Sequence, residues 1–218
     1  MKRVYVIAET VIGSHIWNMA TPDSDLDLFR IYAEPTTAIL NGTATKKSKF
    51  IQENGTDIAV HEVEKVVEQL LKGNMNFLIG VLSPLVVLDT GYLEELRKIT
   101  LQNLSKNCFH SIYGMAKANY KKYIESGADT SEKRCNKICR FLVWGINILR
   151  HNKVSFKPFE GGTPEKVLEL LEELKHAYEE SQLPEKPQEE PFREWLLNLR
   201  KDILHYEENN EEMLPVEC

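Results

Sequence analysis

The sequence of 218 residues contains no apolar run approaching the roughly 18 consecutive residues that a membrane-spanning helix needs. It also shows no apolar stretch followed by a small-residue cleavage site near its start, because Glu9 and His15 interrupt the first apolar segment. These absences argue against a membrane protein and against a secretory signal. We therefore expect a cytoplasmic protein.

Cysteine is scarce, with four residues at positions 108, 135, 139 and 218. Without a secretory signal, they are expected to be reduced thiols. Cys135 and Cys139 are spaced to share one helix face, but no second Cys or His pair at ligand spacing accompanies them. Because a structural zinc site needs four ligands, this argues against zinc.

The chain also lacks an excess of positive charge, since its net charge is −6. That balance argues against a general nucleic-acid binder. The charge is unevenly distributed, however: residues 115–159 contain ten basic and three acidic residues, a net charge of +7, whereas residues 160–218 contain seventeen acidic and six basic residues, a net charge of −11. An acidic protein that concentrates positive charge in one segment is expected to bind an anion there.

Hydrophobic periodicity predicts strands in the first part of the chain and helices after about residue 62. Predicted strands cover 3–12, 25–32 and 57–61, with 35–56 as a hairpin or a mobile loop. Predicted helices include one that ends at Gly73-Asn74, one over 92–126 with a break near Asn107 or Gly114, and others over 131–151 (capped by Asp129), 164–180 and 191–206. The predicted fold class is α+β, with a small mixed sheet in a core over 1–90 and a helical region over 91–218 packed on it.

The residues most informative about chemistry are Asp25 and Asp27. Residues two apart in a strand project from the same face, so the two carboxylates are predicted to lie side by side. Two such carboxylates repel unless a divalent cation lies between them, and hard oxygen ligands favour Mg²⁺ or Mn²⁺. A third carboxylate on a neighbouring strand would complete a two-metal site, and Asp57 is the best-placed candidate. The alternative is that all three are ordinary solvated residues at strand ends.

Gly13-Ser14 ends the first predicted strand where a short helix over about 15–19 can begin. A glycine lets a phosphate approach the backbone, the free N–H groups there attract anions, and the serine hydroxyl adds a hydrogen bond. A phosphate-binding turn close to a pair of metal-binding carboxylates is what chemistry on a nucleoside triphosphate (NTP) requires.

This pattern resembles the DNA polymerase β-like nucleotidyltransferase superfamily, and in its longer form the RNA-repair-associated branch of that superfamily, RlaP. The resemblance is carried by Gly13-Ser14, the aromatic Trp17 and the run Ala20-Thr21-Pro22-Asp23-Ser24-Asp25-Leu26-Asp27. Weaker similarities follow in order along the chain, at Asp57–Asn74, Lys133–Arg140 and Ser181–Pro184.

The resemblance implies that Asp25, Asp27 and Asp57 bind Mg²⁺ or Mn²⁺, with Asp57 also the general base on the attacking hydroxyl. It implies that Gly13 and Ser14 hold the β- and γ-phosphates of the NTP.

Three departures from the branch concern substrate contacts more than the metal chemistry. Asn18 stands where the branch has glycine, and asparagine tolerates the left-handed conformation. Phe29-Arg30 replaces Arg-Gly, so a charged contact is expected to be moved or lost, and Lys137 replaces histidine.

A basic stripe is predicted on the helix over 131–151, because Lys133, Lys137 and Arg140 follow helical spacing. One interpretation is a solvated cationic face. The other is that the stripe faces the metal site and binds the triphosphate or the phosphates of a polynucleotide.

The function that these residues favour is a metal-dependent nucleotidyltransferase, which moves NMP from an NTP to an acceptor hydroxyl and releases pyrophosphate. The acceptor could be an RNA or tRNA end, a small molecule or a protein, the last as in a toxin-like modifier. A non-catalytic nucleotide-binding or regulatory module of the same fold is the other class of hypothesis. The intact Asp25/Asp27 pair argues against it, since an inactive site has no need of two repelling carboxylates.

Overall fold

The computed structural model describes residues 4–44, 48–53 and 55–209, which form five strands and eight α-helices. The strands are β1 (Tyr5–Ile12), β2 (Asp27–Ala33), β3 (Lys49–Glu53), β4 (Thr56–Glu62) and β5 (Val86–Asp89). They form one sheet in the order β3-β4-β2-β1-β5. β2 and β4 run parallel and the other neighbours are antiparallel, so the sheet is mixed, as the sequence predicts.

The helices are α1 (Thr36–Leu40), α2 (Val63–Leu71), α3 (Met75–Leu82), α4 (Leu93–Gln102), α5 (Cys108–Asn119), α6 (Glu132–His151), α7 (Pro164–Glu180) and α8 (Glu190–Asn209). A π-helical turn at Tyr120–Glu125 continues α5. The α+β fold class is confirmed. Among the described helices, none combines the length and the hydropathy that crossing a bilayer requires.

Two sequence predictions about these elements need correction. Strands do not end at residue 62, because β5 follows α3 and pairs with β1 at one edge of the sheet. The N-cap of α6 is Ser131, whose hydroxyl accepts from the Arg134 N–H, and Asp129 instead accepts hydrogen bonds from Ser131. The break predicted in the helix over 92–126 is confirmed near Asn107, since the residues at 103–107 are not helical, whereas the alternative position, Gly114, is inside α5.

The start of β2 also differs from the prediction, and this changes the position of Asp25. β2 begins at Asp27, so Asp25 lies in the preceding loop and the expectation that both carboxylates share one strand face is wrong. Ile12 is the last residue of β1 to pair with β2, opposite Asp27, and the chain turns away at Gly13, where φ is +74°. Asp25 therefore has no strand partner on that side.

The parallel register of β2 and β4 determines which side chains lie together on one face of the sheet. Asp27 is paired with Asp57 and Phe29 with Ala59. On the edge strand β3, Phe50 is paired with Ala59. Because side chains alternate between faces, all five of these residues lie on the same face. We call it the cleft face.

The opposite face of the sheet holds a buried ion pair between Glu9 of β1 and Arg30 of β2. Arg30 Nε lies 2.5 Å from Glu9 Oε2, and Arg30 Nη2 lies 3.3 Å from Glu53 Oε2. Arg30 thus projects away from the cleft face, and its guanidinium group neutralises carboxylates of the sheet itself. The departure from the family pattern at Phe29-Arg30 therefore moves a charge to the far side of the sheet.

Aromatic packing connects the start of the chain to the helices. Trp17, in a short 3-10 helix at His15–Trp17, is fully buried and contacts Phe141 of α6 and Phe156 edge to face, with ring centroids 5.6 and 5.0 Å apart. This packing holds the turn after β1 against α6. The predicted division near residue 90 falls between β5 and α4 and stays a prediction.

The three cysteines that the structure describes, Cys108, Cys135 and Cys139, are buried free thiols, as predicted. Burial raises the pKa of Cys108 and of Cys139 to about 12, so these thiols are protonated at neutral pH. Cys218 lies outside the described residues.

We predict that Glu9→Ala lowers the free energy of unfolding by about 3–5 kcal/mol, because it leaves the buried Arg30 guanidinium without its nearest partner. Glu53→Ala is the matched control. Its side chain is 47% exposed, so the loss should stay below about 1 kcal/mol. Urea unfolding of both variants measures the difference, and equal losses would contradict the assignment of Glu9 as the main partner.

Candidate active site

A cleft of about 1340 Å³ lies between the cleft face of the sheet and helices α5 and α6. Its lining falls into three groups. Carboxylates and the turn after β1 form one end, with Gly13, Ser14, Asp23, Asp25 and Asp27. Cations from α6 form a wall, with Lys133, Arg134, Lys137 and Arg140. The remaining group is aromatic and amide-rich, with Phe29, Phe50, His61, Asn76, Phe77 and Asn119.

Asp27 is the centre of the acidic end. Its pKa is raised, first by partial burial and then by the negative charges of Asp57 and Asp25, while Lys137 and His15 oppose the rise. The three carboxylates that the sequence predicts to act together are therefore close enough to repel one another. The loop position of Asp25 keeps it exposed, whereas Asp27 is half-buried.

Asp57 lies on the strand next to Asp27, as predicted, and is paired with it in the register of β2 and β4. It is exposed, accepts a hydrogen bond from Gln52 Nε2 at 3.0 Å, and lines a smaller depression of about 400 Å³ at the β3/β4 edge. Asp27 and Phe50 border both this depression and the cleft. The larger cleft therefore has two carboxylates of the predicted three, and the third faces the neighbouring depression.

The donor set at the acidic end suits a hard divalent cation. Among the described residues, no group of three His, Cys, Asp or Glu side chains is placed to hold a metal ion. Mg²⁺, however, is commonly held by one or two carboxylates together with substrate phosphates, and not by a cage made only of protein. Asp25 and Asp27 fit that mode of binding.

Gly13 is required by the close approach of the Asp27 carboxylate. A Cβ atom at position 13 would overlap Asp27 Oδ2, and φ at Gly13 is +74°. Ser14 follows at the start of the 3-10 helix, with no capping hydrogen bond from its side chain. Asn18 ends that helix at φ 53°, so asparagine supplies the left-handed conformation that the resemblance leads us to expect of glycine.

Arg140 is the most unusual cation of the wall. It is only 7% exposed, its Nε is buried without a hydrogen-bond partner, and desolvation lowers its pKa to about 10. Its guanidinium carbon lies 5.2 Å from the Trp17 ring centroid and 4.9 Å from that of Phe141, and Nη1 contacts the sulfur of Met19. Within the part of the chain that the structure describes, no carboxylate pairs with it. Such a buried cation is expected to meet an anion from outside the protein.

The remaining cations of the wall are Lys133, Arg134 and Lys137. Desolvation and then the charges of Arg140 and Arg134 lower the pKa of Lys137, and Asp27 opposes this effect. Arg134 stacks on Tyr123 at 3.9 Å and pairs with Asp129 at 2.9 Å. Lys133, the remaining member of the predicted stripe, is exposed at the cleft. The structure thus brings all three predicted cations, Lys133, Lys137 and Arg140, to the same cleft as Asp27.

The aromatic end of the cleft was missed by sequence reasoning. His61 packs between Phe29 and Phe77, with ring centroids 4.8 and 4.6 Å away, and its Nδ1 lies 2.8 Å from the Ser48 hydroxyl. Burial, with a smaller contribution from Lys65, lowers the pKa of His61 to about 4, so the ring is neutral at physiological pH. The available signal was the alternation along β4, which places His61 on the face of Asp57 and Ala59.

Comparison with known proteins gives the site its context. The model of the RNA repair pathway DNA polymerase beta family, RlaP, matches residues 1–213. The chain belongs to this family. RlaP membership places it among the DNA polymerase β-like nucleotidyltransferases.

Other comparisons add little to the RlaP assignment. No curated protein matches the chain. Among solved structures, it is similar to a nucleotidyltransferase-like protein from Exiguobacterium sibiricum, at 9% identity and a TM-score of 0.31, over 91% of this chain and 74% of that one. A likeness of this size carries no argument about function.

The low pKa of His61 predicts a pH-dependent stability. Above its ordinary pKa of 6.5 the ring is neutral in both the folded and the unfolded chain. As the pH falls from 6.5 towards 4, only the unfolded chain takes up the proton. The free energy of unfolding therefore falls by on the order of 3 kcal/mol.

Urea unfolding at pH 7 and pH 4 measures this loss. His61→Phe should remove that part of the pH dependence, whereas His205→Phe, which replaces an exposed histidine of α8, should keep it. A wild-type-like pH dependence in the His61→Phe variant would show that His61 is not held neutral.

Proposed function

We propose that this RlaP protein is a metal-dependent nucleotidyltransferase that moves NMP from an NTP to a hydroxyl at an RNA or tRNA end and releases pyrophosphate. The observation that carries the proposal is the buried guanidinium of Arg140, unpaired among the described residues, which lines the same cleft as the mutually repelling carboxylates of Asp25 and Asp27. A divalent cation bound to a triphosphate supplies both missing counter-charges. The family description supports an RNA acceptor.

Asp25 and Asp27 would hold Mg²⁺ or Mn²⁺, since carboxylate oxygens are the ligands that these hard cations prefer. When bound, the cation would act as a Lewis acid on the phosphate oxygens and offset their negative charge. Asp27 is half-buried and crowded by Asp57, so a cation there would also relieve a repulsion that the protein leaves in place.

The triphosphate would lie between the turn after β1 and the cationic wall. Gly13 and Ser14 offer backbone N–H groups and a hydroxyl, while Lys137 and Arg140 face them from α6. Negative charge moves to the pyrophosphate as it leaves, and cations already in position stabilise it without reorganisation. Arg140, packed against Trp17 and Phe141, is the more buried of the two.

Asp57 would be the general base on the acceptor. Its Oδ1 accepts from Gln52, which leaves Oδ2 to take the proton of the attacking hydroxyl. That hydroxyl oxygen forms a bond to the α-phosphorus, and the bond from the α-phosphorus to the pyrophosphate oxygen breaks. The acceptor would enter from the depression at the β3/β4 edge while the NTP lies in the cleft, so the two approach Asp27 from different sides.

The departure at Phe29-Arg30 does not favour a non-catalytic module. Arg30 lies on the face away from the cleft, in an ion pair with Glu9, and Phe29 contributes to the aromatic end. The carboxylates Asp25 and Asp27 and the cations of α6 stay in the cleft despite this departure.

Label transfer tests the proposed reaction. We expect the protein, with Mg²⁺ or Mn²⁺ and one of the four α-labelled NTPs, to transfer label to bulk tRNA. Asp27→Asn should lower the rate at least about 100-fold, because the substitution removes a metal-binding oxygen and leaves the fold intact. Asp23→Asn, at an exposed carboxylate of the same loop, should keep most of the activity. Absence of transfer with every NTP, with or without tRNA, would overturn the proposal.

Arg140→Met tests the phosphate contact separately from turnover. We expect the Kd for Mg²⁺-bound NTP to rise about 10- to 100-fold, the range for a lost charge-assisted hydrogen bond. Lys133→Met, at an exposed position on the same wall, should change it about 3-fold or less. Because methionine removes an unpaired buried charge, Arg140→Met should not lower the melting temperature, so calorimetric titration compares folded proteins. An unchanged Kd would place the phosphates elsewhere.

A further inference from the structure

Phe50 is an apolar side chain in an unusual place. It is 83% exposed, the largest fraction among the exposed large hydrophobic residues that the structure describes. A single exposed apolar residue is ordinary on a protein surface. Phe50, however, borders both the cleft and the depression that contains Asp57.

Strand register gives Phe50 a defined relation to the reacting groups. Across the sheet, Gln52, Asp57 and Asp27 form one row, and Phe50, Ala59 and Phe29 form the next. The two rows are two residues apart along the strands, or about 7 Å. An aromatic ring therefore stands one row away from the proposed general base.

The row of Phe50 leaves space for a flat group. Ala59 separates two phenylalanines whose backbones are two strand spacings apart, about 10 Å. Phe29 is held against His61 and Phe77, so it cannot fill that space. Ala59 contributes only a methyl group to the surface between Phe50 and Phe29. A planar ring about as thick as the 3.4 Å spacing of stacked bases can lie on Phe50.

The charge of the depression restricts what enters it. Its lining contains two carboxylates, Asp27 and Asp57, and no lysine or arginine among the residues that the structure describes there. Carboxylates repel a phosphate, so a phosphorylated end is disfavoured. An uncharged nucleoside end meets no such repulsion.

We infer that Phe50 is a stacking platform for the base of the acceptor's terminal nucleotide, and that the depression selects an RNA end with a free 3′ hydroxyl over one with a 3′ phosphate. The inference rests on the proposed function, because it identifies the acceptor side of the same site. Stacking on an aromatic side chain is available to every base, so the platform would not select one base sequence.

The test is binding of single-stranded RNA octamers to the full chain, saturated with Mg²⁺ and a non-hydrolysable NTP. Three octamers differ only at the 3′ end: an ordinary nucleotide, a ribose without a base, and an ordinary nucleotide with a 3′ phosphate. The wild type should bind the ordinary octamer about 5- to 150-fold more tightly than the baseless one, the ratio that stacking of one base corresponds to. The phosphorylated octamer should also bind more weakly.

Phe50 variants assign that preference to the ring. Phe50→Leu should bind the ordinary and baseless octamers equally, and Phe50→Trp should keep the preference and show fluorescence quenching with the ordinary octamer only. Val87→Ala, at another exposed apolar residue on the opposite edge strand β5, is the control and should behave as wild type. Position 50 is exposed, so the melting temperature should not change.

The outcomes separate this inference from the proposed function. Equal binding of the ordinary and baseless octamers by the wild type, no RNA binding, or an undiminished preference in Phe50→Leu would overturn the stacking role. Equal binding of the hydroxyl and phosphate ends would overturn the end selection. If NTP binding still depends on Arg140 and label still reaches a protein or small molecule, the proposed chemistry stands with another acceptor. If the Phe50 effect appears without label transfer, the chemistry fails and the binding site remains.

Discussion

The parallel pairing of β2 with β4 sets Asp27 beside Asp57, and this contact between like charges is the constraint on which the site depends. Asp25 adds a third negative charge from the loop, and partial burial weakens the screening by water. Gly13 allows this crowding, because any other residue would place a Cβ atom on the Asp27 carboxylate. The protein thus holds together an arrangement of like charges that is costly without a counter-charge.

A second unneutralised charge lines the same cleft. Arg140 is desolvated between the rings of Trp17 and Phe141, which attract a cation but do not neutralise it. Trp17 itself belongs to the 3-10 helix that follows Ser14, so one aromatic residue contacts Arg140 and also fixes the turn after β1. Arg30 is also buried, but it differs from Arg140 because it is paired with the carboxylate of Glu9 and lies on the face away from the cleft.

Local signals in the sequence predict much of this arrangement, whereas tertiary pairing determines the rest. Strand composition, the Gly13-Ser14 turn and helical spacing suffice to predict the α+β class and to nominate Asp27, Lys137 and Arg140. The loop position of Asp25 depends on the register of β2 against β1, which sets Asp27 opposite Ile12 and which no local pattern reports. Phe50 and His61 join the site only through the register of β4 with its neighbours, and Phe29 and Phe77 pack against His61 there. That Asp57 acts as the third carboxylate of the site stays a proposal.

The central claim is that a metal-bound triphosphate completes the charges of this cleft. A crystal structure with Mg²⁺ and a non-hydrolysable NTP tests it most directly. The account predicts a cation on the carboxylates of Asp25 and Asp27 and phosphates within hydrogen-bond distance of Ser14, Lys137 and Arg140, with the α-phosphorus open towards Asp57. A nucleotide bound outside this cleft, or phosphates in it that leave Arg140 unpaired, would contradict the account.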